Sequence, residues 1–353
     1  MKIFRSLSCL CVILGLLVVL TGCPETADTG KAPETKGKMY FSYFDTVSYI
    51  YSYAGDSEEQ FNENCDGVSA ILEEYHRLFD IYYEYSGVVN LCTLNKNAGG
   101  EAMVVDEKLI DFLLYAKELY ILTDGEMNVM MGSVLRLWHD CREAASTAPS
   151  SATIPTEDAL AEAAKHVDLS SLEIDEKNST VRISDPEASI DVGALGKGYA
   201  TEKAAEYLKD KGSLSYVLNI GGNIRIIGQK TDGSGWLTGI KDPHNSDSYV
   251  KRITISDVSC VTSGNYERYF TVGGVRYHHI IDKDTLMPSE HFASVTIITP
   301  DSTLADALST ALFCMSYEDG LALVQSIGGV EVFWVANDGT QYMTEGFAAL
   351  VGE

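Results

Sequence analysis

Three stretches of this chain set chemistry-bearing side chains at spacings that a helix or a strand turns into a site. The first is "IDVGALGKGYA", Ile190 to Ala200, where Asp191 precedes Gly193, Gly196, Lys197 and Gly198. Glycines free the backbone and let a ligand come close. A helix beginning near Lys197 would aim unpaired N–H groups back at the loop, which favours an anion. Lys197 adds a mobile point charge suited to phosphate. The order G-x-x-G-x-G is neither the dinucleotide fingerprint nor a Walker loop. On these residues alone the segment is either a phosphate loop or a tight strand-to-helix turn with a surface lysine.

The second stretch is "STLADALSTALFCMS", Ser302 to Ser316. At 100° per residue, Leu304, Leu308, Ala311, Leu312 and Met315 share one side of a helix. Asp306, Ser309 and Thr310 lie opposite, with the oxygens of Asp306 and Thr310 stacked one turn apart. A carboxylate and a hydroxyl so placed can serve a hard cation such as Mg2+. A solvated polar face, with Asp306 answering the helix dipole, needs no metal. Phe313 falls on the Asp306 stripe, so that side is not open water. The third stretch, "VRYHHIID", carries His278 and His279. On a strand they face opposite ways, so at most one lines a given pocket. Either is a candidate base, or simply structural.

These stretches need a frame. Ser57 and Gln60 form a capping-box pair before a helix over 57–79, with Phe61, Cys65, Val68, Leu72, Tyr75 and Phe79 on its inner stripe. Asp106 caps a second helix that ends before Gly125, and a third starts after Pro155. Strand pairs then flank "EKNS", Gly221-Gly222 and Gly273-Gly274. "SVTIIT" leads into the Asp306 helix; a further helix over 318–326 and the strand "VEVFWVA" follow. Helices and strands mix without strict alternation, which predicts an α+β fold.

The 353 residues carry a net charge of −25, which excludes nucleic-acid binding through a general basic surface. An anionic ligand must be met locally. Lys2 and Arg5 precede an apolar run from Leu7 to Leu20, too short to span a bilayer comfortably, and then Thr21-Gly22-Cys23. This order resembles a bacterial lipobox and predicts a signal over 1–22, cleaved before a lipid-carrying Cys23. Residues 23–38 read as the lipidated cysteine and a flexible tether, leaving 39–353 as the folded domain. The five cysteines beyond Cys23 have no CxxC spacing, so buried free thiols are expected rather than zinc or a disulfide framework.

From about Phe41 to the last strand, the chain resembles the FAD:protein FMN transferases, the ApbE family of flavin transferases. The likeness is carried, in order, by "FDTV", "DIYYEYSGVVNLCTLN", "DGEMNVMMGSVLRLWHDCR", "DVGALGKGYA", "LNIGGNI", "TSGNYERYF", "HHIID" and "ADALSTALF". It implies a T-fold-like architecture of mixed and antiparallel sheets with flanking helices. It implies Mg2+-dependent transfer of FMN from FAD to a Ser or Thr hydroxyl of a target protein, often a membrane redox protein, with release of AMP. It makes Asp191 and Lys197 FAD contacts, and Ala194, through its carbonyl, Asp306 and Thr310 metal ligands. Phe44, Tyr82, Met127, Asn128 and Val129 would line the flavin or nucleotide pocket, and His279 would polarise or deprotonate the acceptor hydroxyl. Export with a lipid anchor, facing the periplasm or cell surface, fits the same family. Two rival readings use the same residues: an FAD pyrophosphatase yielding FMN and AMP, and a non-catalytic flavin-binding lipoprotein. The chain departs from the family at Asn128, where an aspartate is frequent, and at "DKDTLMP", Asp282 to Pro288, where Asp-Pro-x-Thr-Gly-x-Pro is frequent.

Overall fold

A computed structural model of the chain describes residues 35–352. The proposed signal and Cys23 lie outside the described residues. Eight strands lie side by side in chain order: Lys36–Tyr43, Thr46–Ser52, Tyr216–Ile220, Asn223–Ile227, Ser259–Gly264, Phe292–Thr299, Glu331–Ala336 and Gln341–Met343. Every neighbouring pair is antiparallel. Smaller antiparallel sheets sit in the connections. The architecture is α+β, as the sequence predicts.

Strand periodicity explains how the sheet is covered. Side chains alternate between faces, so Val295, Ile297, Val332 and Trp334 pack with Leu308, Leu312 and Phe313 of helix Ser302–Cys314. Their neighbours Ile298, Phe333 and Val335 turn the other way, onto Trp236, Ile253 and Ile255 of the hairpin Trp236–Asp242/Asn245–Ile255. The strand Phe292–Thr299 is buried at all eight positions because both its faces are covered. Further along the sheet, Ile50, Leu218, Ile220 and Ile227 pack on helices Glu58–Phe79, Glu107–Leu122 and Gly196–Asp210.

The three chemical stretches fall in three different connections between sheet strands. The glycine loop and helix Gly196–Asp210 end the long crossover between Thr46–Ser52 and Tyr216–Ile220. The histidines stand at the end of the hairpin Tyr269–Val272/Val275–His278, which turns at Gly273 (φ +58°) and Gly274 (φ +87°). Asp306 sits on the helix between Phe292–Thr299 and Glu331–Ala336.

Most expected elements are present. Ser57 accepts from Gln60 N, Asp106 from Lys108 N and Thr156 from Ala159 N. The capping box is only half made, because the Gln60 side chain reaches forward to Asn64. One boundary moves. The sequence extends the tether to residue 38, yet the first strand begins at Lys36, where Lys36, Gly37 and Lys38 pair with Ser52, Tyr51 and Ile50. The five cysteines at 65, 92, 141, 260 and 314 are free, and four are buried. Among the described residues no helix is long and apolar enough to cross a membrane.

Candidate active site

The glycine loop and the Asp306 helix meet. Gly198 N donates to Asp306 Oδ2 at 2.8 Å, and Lys197 Nζ lies 3.8 Å from the same oxygen. The approach needs glycine: a Cβ at Gly198 would stand 2.4 Å from Ser302 O and 2.5 Å from Asp306 Cβ. Asp306 is buried, as Phe313 on its stripe implied, and burial pushes its carboxyl above the ordinary range. Lys197, the Gly198 N–H and Asn223 oppose that shift. Asn223 Nδ2 is itself buried beside Asp306 and makes no hydrogen bond of ordinary geometry among the described residues. Ser309 Oγ donates to Asp306 O at 2.8 Å and contacts Ser263 Oγ at 2.8 Å, while Thr310, a turn on from Asp306, is half-buried.

The helix N-terminus is less free than the sequence suggests. Gly196 N turns back to Val192 O at 2.8 Å, and Gly198 N is taken by Asp306. Asp191 folds over its own loop, Oδ1 accepting from Gly193 N at 2.8 Å, and Lys197 Nζ donates to Gly193 O at 3.3 Å. Ala194 lies between these contacts and packs against the core. An anion at this loop would therefore meet side-chain cations more than free backbone N–H groups.

More of these are present than sequence reasoning found. Arg142 and Arg268 both bear on His279 and on Asp191, and Lys197 also bears on His279. Burial, and then these cations, push His279 down to about 3, so its imidazole is neutral near pH 7. Burial raises Asp191, opposed by the Gly193 N–H and by His139, Arg142 and Arg268. His139 Nδ1 accepts from Arg142 Nη2 at 2.8 Å, and its ring lies 5.3 Å from that of Tyr82. His139 and Arg142 close the motif "DGEMNVMMGSVLRLWHDCR", but nothing local in the sequence assigns them to this site. They lie about one turn apart on helix Gly132–Thr147, which starts after Met131, a cap with no side-chain hydrogen bond.

The two histidines separate cleanly. His278 donates through Nε2 to Ser289 O at 2.9 Å and accepts through Nδ1 from Ile280 N at 3.2 Å, so both nitrogens are used in the core. His279 Nδ1 lies 3.2 Å from Arg268 O, and a carbonyl only accepts, so Nδ1 carries the proton. Its Nε2 is left as the basic nitrogen.

The remaining expected residues divide. Tyr82 is 52% exposed, a ring available for stacking. Phe44 is half-buried in a turn at φ +53°, a conformation that bulky residues avoid, with its ring 5.6 Å from His76. Met127 and Val129 are buried in the main core, and Val129 O accepts from Asp191 N at 2.8 Å. Asn128 holds its own turn, Oδ1 accepting from Met130 N and Nδ2 donating to Val167 O, both at 2.9 Å. This segment shapes the wall behind Asp191 from its backbone.

The fold and the site together define a class: an α+β protein in which a buried carboxylate, Asp306, meets Gly198 and Lys197 where two helices approach, with Arg142 and Arg268 bearing on the neighbouring His279 and Asp191. The ApbE family model matches residues 45–334, and the chain belongs to that family. The FAD:protein FMN transferase of Treponema pallidum (strain Nichols) is 29% identical over 346 residues, covering 94% of this chain and 92% of that protein. The enzyme of the same name from Vibrio cholerae is 29% identical over 319 residues, covering 89% and 90%. Among solved structures, the ApbE protein of Thermotoga maritima is similar with a TM-score of 0.79 at 29% identity, covering 91% of this chain and 100% of that one.

Proposed function

We propose that this chain is an FAD:protein FMN transferase. The relatives named as such span nearly its whole length. The observation that carries the reading is the meeting of Asp306, Gly198 and Lys197, with Lys197 also bearing on a neutral His279.

The residues fit Mg2+. The Asp306 carboxylate, the Thr310 hydroxyl and the Ala194 carbonyl are hard oxygen donors, and Mg2+ suits one or two carboxylates completed by water and substrate phosphate. A carboxylate raised by burial also gains from a nearby cation. When bound, the ion would neutralise diphosphate charge.

The chain's own groups do the rest. Lys197, Arg142 and Arg268 attract and orient the FAD diphosphate. Tyr82 offers a ring face to the flavin or the adenine. The acceptor's Ser or Thr oxygen attacks the phosphorus on the FMN side. The bond from that phosphorus to the bridging oxygen breaks, and AMP leaves with the electron pair. The hydroxyl proton passes to His279 Nε2, which the Arg268 carbonyl keeps free to receive it.

The test incubates the protein with FAD, Mg2+ and a candidate acceptor, weighs the acceptor by intact mass and quantifies AMP. Transfer adds FMN to the acceptor with one AMP per event, and chelation of Mg2+ stops it. His279→Ala should bind FAD and lose transfer. Free FMN and AMP with an unmodified acceptor would mean hydrolysis instead. FAD binding without turnover, indifferent to Asp306→Asn, would mean a flavin-binding protein.

For location, the supporting feature is the order Lys2, Arg5, apolar run and Leu20-Thr21-Gly22-Cys23. In this reading Cys23 anchors the enzyme outside the cytoplasm, beside membrane redox acceptors. Cys23→Ala should release it from the membrane fraction; unchanged membrane association would refute the anchor.

A further inference from the structure

The two helices that meet at the site exchange hydrogen bonds. Helix Gly196–Asp210 gives its Gly198 N–H to Asp306 of helix Ser302–Cys314. Helix Ser302–Cys314 returns its first N–H, that of Ser302, to Glu202 Oε2 of the other helix at 2.7 Å. The second bond is tied to a third element. Arg225, on strand Asn223–Ile227 and only 1% exposed, places Nε 3.2 Å from the same Glu202 oxygen. Its Nη1 donates to Ile226 O and lies 3.5 Å from Asp257.

We propose that Glu202 and Arg225 are a positioning pair that sets the register of helix Ser302–Cys314 on helix Gly196–Asp210, and so aims Asp306 at the loop of Ala194 and Lys197. Three features support it. A buried ion pair adds little stability over apolar residues of similar volume, so direction is what this one supplies. Among the described hydrogen bonds from the helix's first turn, Glu202 takes that of Ser302 N, while Thr303 N and Leu304 N are capped by Asp301. One oxygen therefore fixes where that helix starts. Asp306 follows one turn later on the same helix, so a slide at Ser302 becomes an equal slide at Asp306. The contact at Gly198 leaves no room for a side chain, so it cannot absorb such a slide.

The part of this inference that concerns metal rests on the proposed Mg2+ site, so the experiment has two readouts. The variant is Glu202→Met with Arg225→Met, which removes both charges together and avoids stranding one. In metal-free protein, amide exchange at Gly198 should quicken about tenfold while core amides of strand Phe292–Thr299 stay protected. In the second readout, Mn2+ binding followed by electron paramagnetic resonance should weaken by about 10- to 100-fold, the usual effect of losing an outer-shell partner. If the double variant fails to fold, Glu202→Leu, which removes the acceptor of Ser302 N and leaves Arg225 its contacts with Asp257 and Ile226 O, is measured in the same way. Unchanged Gly198 exchange overturns the positioning role whatever the metal does. Quickened exchange with unchanged Mn2+ affinity overturns its link to the metal. A wild-type protein that binds no Mn2+ instead overturns the metal reading, and leaves the exchange result to decide the register.

Discussion

Asp306 accepts a 2.8 Å hydrogen bond from the backbone of Gly198, across 108 residues of sequence. The bond fixes the carboxylate in the first turn of the other helix. Gly198→Ala is therefore a test of the whole site. Its Cβ would fall 2.4 Å from Ser302 O, which forces the helices apart. Overpacking of this kind costs about 1–3 kcal/mol, and thermal unfolding should show that loss. FMN transfer should fall at least about tenfold, because Asp306, the proposed metal ligand, moves with its helix. A stable Ala variant with full turnover would show that the helices have slack where the structure shows none.

His279, proposed above as the base, gives a pH signature of unusual sign for such a histidine. Burial, with Arg268, Arg142, His278 and Lys197 close by, lowers it from 6.5 to about 3. Between those values the unfolded chain binds the proton and the folded protein does not, so stability rises with pH. The contribution of His279 is whole above about 6.5 and is lost as pH falls through that window. Catalytically, kcat/KM reports the free enzyme, and it should show no acid limb near 6.5. In the proposed binding mode the FAD diphosphate would neutralise the neighbouring cations, so the acid limb of kcat should sit higher than that of kcat/KM. Coincident limbs near 6.5, absent in His279→Gln, would mean that the cations do not bear on this histidine.

What can be read from the sequence, and what cannot, follows from how local each signal is. The helix starting after Ser57 and the hairpins at Gly221-Gly222 and Gly273-Gly274 are written in caps and turns a few residues long. The pairing of Asp306 with Thr310 is likewise one helical turn. Strand Lys36–Tyr43 reads partly as tether because "KGK" carries charge and glycine, yet it pairs along the sheet edge. Arg142, His139 and Arg268 lie inside two of the quoted motifs, but nothing local shows that they form a set. They come from helix Gly132–Thr147 and from the turn before strand Tyr269–Val272, and only the tertiary fold brings all three to Asp191 and the two arginines to His279. The Arg225–Glu202 pair is hidden for the same reason, 23 residues apart with nothing periodic between.

The cysteines should be chemically quiet. Burial pushes the Cys65 and Cys260 thiols up to about 12 and raises Cys92, Cys141 and Cys314 as well. Thiolate is the reactive form. A disulfide reagent at pH 8 should label Cys141, the one half-exposed thiol of these five, and reach the others only in denaturant. Peptide mapping of the label checks this. Fast native labelling of Cys65 or Cys260 would mean that the core opens far more often than its packing suggests.

The loop Asp282 to Pro288 holds a leucine where the family favours glycine, and Leu286 sits there at φ +59°. That left-handed conformation costs a non-glycine residue about 1–2 kcal/mol. The loop keeps it because three contacts over-determine the turn. Asp282 Oδ1 accepts from Asp284 N and Thr285 N, at 2.9 and 2.7 Å, and Asp282 O accepts from Leu286 N at 2.9 Å. Trp138 Nε1 then donates to Leu286 O at 2.9 Å. The leucine side chain offsets part of the strain by packing on the cluster of Trp138, Phe270 and Ile281. Two substitutions separate these effects. Leu286→Ala removes the packing and keeps the strain, so it should lower stability by about 1 kcal/mol. Leu286→Gly removes both, and should be more stable than the Ala variant by about 1 kcal/mol. Urea unfolding of the three proteins measures the order. An Ala variant as stable as the Gly variant would mean that residue 286 is not left-handed in solution, and that the loop has a different turn from the one its hydrogen bonds describe.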